Sequence, residues 1–312
     1  MKAVVVGGNG FIGSHLVDSL LADGWQVVVY DRAPERYRPP LAGVEYVIGE
    51  LGNKSLLASV LPKADVVFHL ASTTIPQSSN ESPVFDIQSN LIDAVRFLKV
   101  CVASQVGKVI FFSSGGTVYG ISNSLPVNEK HPTNPICSYG IVKLAIEKYL
   151  HLFKQLYGLS YMVLRPSVSY GQRQNPTGEQ GAIAVFLGRI AQELPVTIWG
   201  DGEIIRDYLY ISDLVRACML AATSTRTSMV LNVGSGQGVS LNQLLEIIEG
   251  VVQKPFSVVR LQARPFDVPN LILDSQRISA ELNWTPEVLL EDGISRTWNW
   301  IRSLKWSRQL VR

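Results

Sequence analysis

Cysteine is scarce in this chain of 312 residues: only Cys101, Cys137 and Cys218 occur, and none of them has CxxC spacing. This pattern argues against a disulfide framework and against a zinc site, and it favours a reducing, cytoplasmic location. The few histidines form no metal-like cluster along the sequence either, so we expect no metal cofactor.

Long runs of like charge and of apolar residues are also lacking. The net charge is +2 and no long Lys/Arg block occurs, which argues against nucleic acid and anionic membrane as main partners. No uninterrupted apolar stretch reaches the roughly 18 residues of a membrane span. The first residues already form a predicted strand, so we expect no removable signal peptide.

Apolar residues make up 46% of the chain and charged residues 17%, which permits a large core. Strand-like runs alternate with helix-like runs, which predicts an α/β fold: a Rossmann-type doubly wound parallel sheet with ligands beyond the carboxyl ends of its strands. Strands are predicted over 2–6, 26–30, 44–48, 65–70, 108–113, 160–165 and 229–233, and helices over 54–61, 87–104 and 138–157.

The organisation of the chain changes after Pro166. We predict a dinucleotide-binding domain over 1–166, to which the chain returns at about 205–237. The segments 167–204 and 238–312 are predicted to form a smaller, C-terminal substrate-binding lobe. A Gly/Gln/Asn-rich stretch over 171–181 is predicted to be a loop on the substrate side.

The first strand runs directly into a glycine-rich loop, with Gly7, Gly10 and Gly13 spaced as G-x-x-G-x-x-G before a predicted helix. Gly7 permits the tight turn, Gly10 lets a pyrophosphate approach the backbone, and Gly13 lets the helix pack closely. The helix N-terminus then offers amide donors to phosphates. Asp31, at the end of the second strand, suits the ribose hydroxyls and favours NAD over NADP, although its neighbour Arg32 would tolerate a 2′-phosphate.

Tyr139 and Lys143 stand four residues apart on a predicted helix and therefore share one face. A cation beside a phenol lowers the phenol's pKa from about 10, which would give a general base for a sugar-type hydroxyl. By itself such a pair is common on solvated helix faces, and its significance comes from the glycine loop that precedes it.

These pieces together resemble the extended short-chain dehydrogenase/reductase family, and within it the NAD-dependent nucleotide-sugar epimerases of the UDP-glucose 4-epimerase type. The resemblance covers nearly the whole chain. The matching motifs are GGNGFIG, YDR, GEL, HLAS, SSGGTVYG, PICSYGIVK, LRPS, WGDGEIIRDYLYISD and RPFD.

The resemblance implies a role for each matching residue. Tyr139 would be the base, tuned by Lys143, which would also hold the nicotinamide ribose. Cofactor-binding residues would be Gly7, Asn9, Gly10, Phe11, Ile12, Gly13, Asp31, Arg32, Glu50, Leu51, Leu70, Ala71, Ser72, Asn90, Ser113, Tyr139, Lys143 and Pro166. Substrate-binding residues would be Val168, Trp199, Arg206, Arg264, Asp267 and Leu271.

Two positions depart from the family pattern. The usual third catalytic hydroxyl is replaced by Gly115, so Thr117, or else Ser114, is expected to supply it. Val168 stands where an asparagine commonly contacts the substrate phosphates. At Leu271 the family lines its sugar pocket, and a leucine there would leave room for UDP-N-acetylglucosamine or a UDP-uronic acid as well as UDP-glucose.

The resulting hypothesis is a nucleotide-sugar 4-epimerase that oxidises C4 transiently with bound NAD. A 4-keto-sugar reductase that consumes NAD(P)H is the alternative, and a non-catalytic dinucleotide sensor is a third. The missing acid beside Thr117 argues against a 4,6-dehydratase. The family resemblance also implies a homodimer built on the helices 87–104 and 138–157, whose apolar residues include Val95, Leu98, Leu144 and Leu150.

Overall fold

A computed structural model describes residues 1–122, 124–263 and 268–304. In chain order its strands are β1 (Lys2–Val6), β2 (Gln26–Asp31), β3 (Val44–Ile48), β4 (Val66–His69), β5 (Lys108–Phe112), β6 (Tyr161–Pro166), β7 (Val168–Tyr170), β8 (Val196–Trp199), β9 (Ile205–Tyr210), β10 (Met229–Val233), β11 (Gly238–Ser240), β12 (Val258–Leu261) and β13 (Asn270–Leu271). Its α-helices are α1 (Phe11–Ala22), α2 (Lys54–Val60), α3 (Pro76–Glu81), α4 (Pro83–Asp86), α5 (Asp93–Ala103), α6 (Ser138–Tyr157), α7 (Ala182–Ala191), α8 (Ile211–Thr223), α9 (Leu241–Val252), α10 (Gln276–Leu282) and α11 (Leu290–Ser303).

Seven parallel strands form the main sheet, in the order β10-β6-β5-β4-β1-β2-β3. Successive β-branched residues point to opposite faces, and both faces are buried, which explains the continuous apolar runs. Val5 and Val29 contribute to the core on the side of α1 and α8, whereas Val4 and Val28 contribute to the core under α2, α5 and α6. The predicted Rossmann-type sheet is thereby confirmed.

A smaller lobe follows the sixth strand. Its central strand β9 pairs with β7, β11 and β13, and β8 pairs separately with β12. Within the predicted return segment 205–237, β9 belongs to this small sheet. Helix α8 packs on α1, and β10 joins the edge of the main sheet.

One predicted helix differs in detail. The segment 87–104 begins with a π-helical turn, Ile87–Ile92, and becomes α-helical only in α5. The wider turn directs Asn90 into a buried polar cluster, where its Nδ2 lies within hydrogen-bond distance of Thr73, Thr74 and Asp86. π-Turns are rare and occur often at functional sites. Within the described ranges, no helix combines the length and apolarity needed to cross a bilayer.

Candidate active site

A cleft of about 630 Å³ lies between the carboxyl ends of the main strands and the small lobe. Its volume falls within the range that small-molecule sites usually have. The topology places it where β1 and β4 lie side by side while their following helices pack on opposite faces, the switch point at which open α/β sheets bind ligands.

The glycine loop forms one end of this cleft, and a side chain would meet different neighbours at each of its three glycines. Gly7 has φ +87°, and a Cβ there would lie 2.8 Å from the Ala71 nitrogen. A Cβ on Gly13 would lie 2.3 Å from the Gly7 oxygen, so the first turn of α1 packs directly on the loop. A Cβ on Gly10 would approach only the Gly7 oxygen, at 3.3 Å, and Gly10 lines the cleft.

The same end of the cleft can receive an anion. Helix α1 has no side-chain cap at its N-terminus, so its first amide groups are available as donors. Phe11 and Ile12 line the cleft beside them. The open backbone at Gly10 and this uncapped helix end fit the pyrophosphate of a dinucleotide.

Asp31 lies next to the glycine loop at the end of β2. Its Oδ2 accepts a hydrogen bond from the Asn9 nitrogen at 2.9 Å, and its Oδ1 accepts one from the Ala33 nitrogen at 3.1 Å. Asn9 is buried, and its Nδ2 donates to the Ala33 oxygen at 2.7 Å. These bonds fix the Asp31 carboxylate beside the glycine loop, whereas Arg32 is exposed, and neither residue lines the cleft itself.

Farther along the sheet edge, further predicted cofactor residues lie at or just after the ends of β3, β4, β5 and β6, and Asn90 lies on the π-helical turn. Leu70, Ser113 and Pro166 line the cleft. Ala71, Ser72 and Asn90 lie just behind it, around a small second cavity. Glu50 is exposed beyond β3, where its carbonyl accepts the Tyr30 hydroxyl, and Leu51 packs on the nearby core.

Tyr139 and Lys143 lie in the first turns of α6 and line the middle of the cleft. The Lys143 Nζ lies 5.4 Å from the Tyr139 ring centroid and donates to the Phe112 oxygen at 2.9 Å. Burial lowers the pKa of Lys143 to about 8, although the carboxylates of Asp86 and Glu147 oppose this shift.

The pKa of Tyr139 differs in direction from the sequence prediction. Burial raises it well above the ordinary value of 10.0, and Cys137 and Asp86 raise it further. The prediction considered only the cation, whereas packed protein around the phenol penalises the phenolate more strongly. Without a bound cofactor, Tyr139 is therefore protonated at neutral pH.

The hydroxyl groups near Tyr139 separate into two kinds. The Ser113 hydroxyl donates a hydrogen bond to Glu147, so it is not available to a ligand, although Ser113 lines the cleft. Thr117 and Ser114 both line the cleft, and the buried Thr117 Oγ1 has no hydrogen-bond partner among the described residues. Thr117 is thus a polar group available to a ligand beside Tyr139.

Gly115 owes its identity to packing. A Cβ at this position would lie 2.5 Å from Leu273 Cδ1 and 3.0 Å from the backbone oxygens of Arg165 and Pro166. Gly115 does not line the cleft, whereas its neighbours Ser114 and Gly116 do. The Cβ of any side chain at position 115 would therefore lie against β6 and Leu273.

The small lobe brings Val168, Trp199 and Arg206 to the other end of the cleft. The Arg206 Nη1 donates to the Ile205 oxygen at 2.9 Å. Its neighbour Asp207 is buried and accepts hydrogen bonds from the Ser235, Gly236 and Leu273 nitrogens, so Arg206-Asp207 is not a surface ion pair.

Leu271 does not line the cleft, contrary to the sequence prediction. It pairs with Arg206 along the edge of β9 and is buried with Val118, Tyr119 and Val127 in a separate apolar cluster. The predicted effect of Leu271 on sugar choice therefore has no geometric basis. The other two predicted clamp residues, Arg264 and Asp267, lie outside the described residues.

Two residues that the sequence reasoning missed also contribute to the cleft. Ser167 and Tyr208 are both buried, and their hydroxyls have no hydrogen-bond partner in the described ranges. Tyr208 was detectable, because it stands two residues after Arg206 on a strand and so shares its face. Burial raises the pKa of Tyr208 to about 12, so its hydroxyl is a donor at neutral pH.

No group of three or more His, Cys, Asp or Glu side chains in the described parts of the chain is arranged to hold a metal ion. The buried Asn9 Oδ1, Thr117 Oγ1 and Ser167 Oγ are polar atoms of the kind that an organic ligand would satisfy. The site thus suits a large polar organic ligand that extends from the glycine loop to Arg206.

Comparison with known proteins agrees with this geometry. The profile of the "NAD dependent epimerase/dehydratase family" matches residues 3–234. UDP-glucose 4-epimerase of Mycolicibacterium smegmatis is 34% identical over 97% of this chain and 99% of its own length. dTDP-4-dehydro-6-deoxyglucose reductase of Escherichia coli is also 34% identical, over 94% of this chain and 95% of its own.

Among solved structures, the UDP-glucose 4-epimerase of Thermotoga maritima with UDP-glucose superposes with a TM-score of 0.93. The two chains are 35% identical, and the match covers 97% of this chain and 99% of that one. The likeness therefore extends over both the main sheet and the small lobe.

Proposed function

Because this chain belongs to the NAD dependent epimerase/dehydratase family, we propose that it is a nucleotide-sugar 4-epimerase with NAD as its cofactor. The observation that carries the proposal is the Tyr139–Lys143 pair in the wall of a cleft with the glycine loop at one end and Arg206 at the other. The substrates proposed are a UDP-hexose, a UDP-N-acetylhexosamine or a UDP-uronic acid.

Bound NAD⁺ would supply the acceptor, and later the donor, of a hydride at C4 of the sugar, and its positive ring would favour a phenolate nearby. The residues of the chain handle the proton and the orientation. Tyr139 takes the proton of the 4-hydroxyl and gives it back after the ketose has turned. Since burial raises the pKa of Tyr139, the phenolate requires nearby positive charge, to which Lys143 contributes as an ammonium below about pH 8.

The remaining residues position the substrate. Thr117, with its unpartnered buried hydroxyl in the cleft, would hydrogen-bond the C4 oxygen. Arg206 would hold the diphosphate at the far end, and Tyr208 lies on the same strand face. Anchoring the diphosphate away from the reacting carbon lets the sugar turn without leaving the site.

Incubation of the purified protein with UDP-glucose, UDP-N-acetylglucosamine and UDP-glucuronic acid, without added cofactor, tests the proposal. NMR should show inversion at C4 for at least one of them. Tyr139→Phe is the control, because it keeps the ring but cannot take the proton. The proposal is contradicted if none of the three nucleotide sugars shows inversion at C4. It is also contradicted if Tyr139→Phe inverts the sugar as fast as the wild type. A dinucleotide sensor would show no inversion and would keep its binding function in Tyr139→Phe.

A net reductase is the second candidate, supported by the likeness to the dTDP-4-dehydro-6-deoxyglucose reductase. The two activities differ in cofactor balance. An epimerase regenerates its cofactor in every turnover, whereas a reductase consumes NAD(P)H in proportion to product. Stoichiometric loss of NADH absorbance with a 4-keto nucleotide sugar, and no inversion at C4 without added cofactor, would favour the reductase.

A homodimer through α5 and α6 also belongs to the proposal, with a different set of contact residues from the sequence prediction. Leu98 and Leu150 are buried in the protomer's own core, and Val95 and Leu144 pack against its clusters. The exposed apolar residues of α6 are Ile141, Tyr149, Leu152, Leu156 and Tyr157, and the exposed Phe85 and Ile92 precede α5. Sedimentation of a Leu152→Asp variant should show monomers if this face holds the dimer.

A cytoplasmic location is likewise proposed. The three cysteines are all unpaired and buried, as a reducing compartment allows.

A further inference from the structure

A fully buried carboxylate, Asp86, lies behind the candidate active site and has no part in the chemistry described above. It ends α4, directly before the π-helical turn, and is 0% exposed. Its Oδ1 accepts hydrogen bonds from Thr74 Oγ1 at 2.7 Å and Asn90 Nδ2 at 2.9 Å. Its Oδ2 accepts one from Ser138 Oγ at 2.7 Å, and Ser138 is the first residue of α6.

Side chains of the nearby helix α3 cap the N-terminus of α6. Cys137, at the N-cap position of α6, makes no side-chain cap. Instead Asn80 Oδ1 accepts the Ser138 N–H at 2.9 Å, and Ser79 Oγ accepts the Tyr139 N–H at 3.0 Å. Two amides that a helix start leaves unsatisfied are therefore satisfied by α3, which packs directly on the start of α6.

We propose that Asp86 is a positioning residue: together with Ser79 and Asn80 it clamps the first turn of α6 and thereby fixes the Tyr139 phenol in the cleft. This inference rests on the proposed function of Tyr139 as the proton acceptor. Proton transfer depends on the heavy-atom distance, so a helix start that is free to shift would misplace the phenol.

The charge of Asp86 has a separate consequence. The titratable groups around it are Tyr139 and Lys143 on α6, Cys137 at the N-cap of α6 and His69 on β4, with Glu147 one turn beyond Lys143. Burial is the dominant cause of both pKa shifts: it raises the pKa of Tyr139 and lowers that of Lys143. The Asp86 charge adds to the rise at Tyr139, behind Cys137, and opposes the fall at Lys143. Neutralising Asp86 should therefore lower the pKa of both groups.

Three variants separate the clamp from the charge. Ser138→Ala removes one hydrogen bond of the clamp but keeps the carboxylate. Asp86→Asn removes the charge and weakens the clamp. Asp93→Asn is the matched control, because Asp93 lies on the following helix and pairs with Arg96 near the surface. The two clamp variants should lose about tenfold or more in kcat with little change in KM, whereas the control should match the wild type.

The pH profile gives a readout that a purely structural role would not move. Both limbs of the kcat profile should shift to lower pH in Asp86→Asn, and neither should shift in Ser138→Ala. Independently of turnover, ¹³Cε-lysine NMR of the purified protein, assigned with Lys143→Arg, should show Lys143 losing its proton at lower pH in Asp86→Asn than in the wild type.

Unchanged kcat in Ser138→Ala overturns the clamp, and an unchanged Lys143 titration in Asp86→Asn overturns the charge effect. If Asp86→Asn does not fold, Thr74→Val and Ser138→Ala still test the clamp, since each deletes one donor to the carboxylate. Failure of the proposed function would look different: the wild type would invert no sugar, while the NMR titration would still report on Asp86.

Discussion

Replacing Gly10 or Gly13 with alanine should produce two different defects, although both glycines belong to one motif. A Cβ on Gly13 would lie 2.3 Å from the Gly7 oxygen and 2.7 Å from the Gly8 Cα. Both are backbone atoms, so no side-chain rotation relieves the contact. Alanine favours helices over glycine by at most about 1 kcal/mol, which this contact outweighs.

We expect Gly13→Ala to cost roughly 2 kcal/mol or more, as overpacked sites do. At about 2–4 °C per kcal/mol for a chain of a few hundred residues, Tm should fall by at least roughly 4 °C. Gly10 has φ −78°, which alanine adopts freely, and its Cβ would meet only the Gly7 oxygen, at 3.3 Å. The loss of an N-cap glycine and the lower entropy of the unfolded chain nearly cancel, each being about 0.5–1 kcal/mol.

Gly10→Ala should therefore melt within a few degrees of the wild type yet bind NAD at least about tenfold more weakly, because the added methyl group lies on the cleft side of the loop. Differential scanning calorimetry of cofactor-free protein gives the stability, and isothermal titration with NAD⁺ gives the affinity. Wild-type NAD affinity in Gly10→Ala, or an unchanged Tm in Gly13→Ala, would refute the reasoning.

Three further predictions concern buried polar groups. Arg165 donates to both Glu147 oxygens, at 2.9 and 2.6 Å, in the core, so Glu147→Gln or Arg165→Met should each cost about 3–5 kcal/mol; urea unfolding that shows less than about 1 kcal/mol would contradict this. Lys143, with its pKa lowered by burial to about 8, should lose its charge as the pH rises, so kcat/KM should decline above about pH 8; a flat profile to pH 9.5 would be the contrary result. Thr117→Val should lower kcat about tenfold or more with Tm nearly unchanged, measured beside Ser114→Ala, and a larger loss in Ser114→Ala would reassign the hydroxyl.

Local sequence patterns predicted those parts of the fold that local physics controls. The apolar run over 44–48 and the amphipathic pattern over 138–157 coincide with β3 and α6. Both elements are predicted from the spacing of apolar residues, which can be read from the sequence alone. The π-turn at Ile87–Ile92 could not be predicted in this way, because its extra residue per turn is stabilised by contacts of Asn90 with distant residues.

The candidate site was predictable where a motif implies a backbone shape, and it was not where packing decides. The glycine loop and the Tyr139–Lys143 spacing brought the expected residues to one cleft. The direction of the Tyr139 pKa depends on the amount of protein around the phenol, which a four-residue spacing does not contain. Likewise, the clamp at Asp86 joins segments about fifty residues apart.

The tight surroundings of Gly115 restrict the substitutions that this position accepts. A serine or threonine at position 115, the family's usual hydroxyl, would meet the Leu273 methyl group at 2.5 Å and two carbonyl oxygens at 3.0 Å. A smaller residue at 273 would relieve only the first of these contacts. The Leu273 Cδ1 ends a flexible side chain that can rotate away, whereas the two oxygens belong to the backbone of β6 and would have to shift with it. The stability cost of a hydroxyl at position 115 should therefore depend on the residue at 273, so these two positions are coupled.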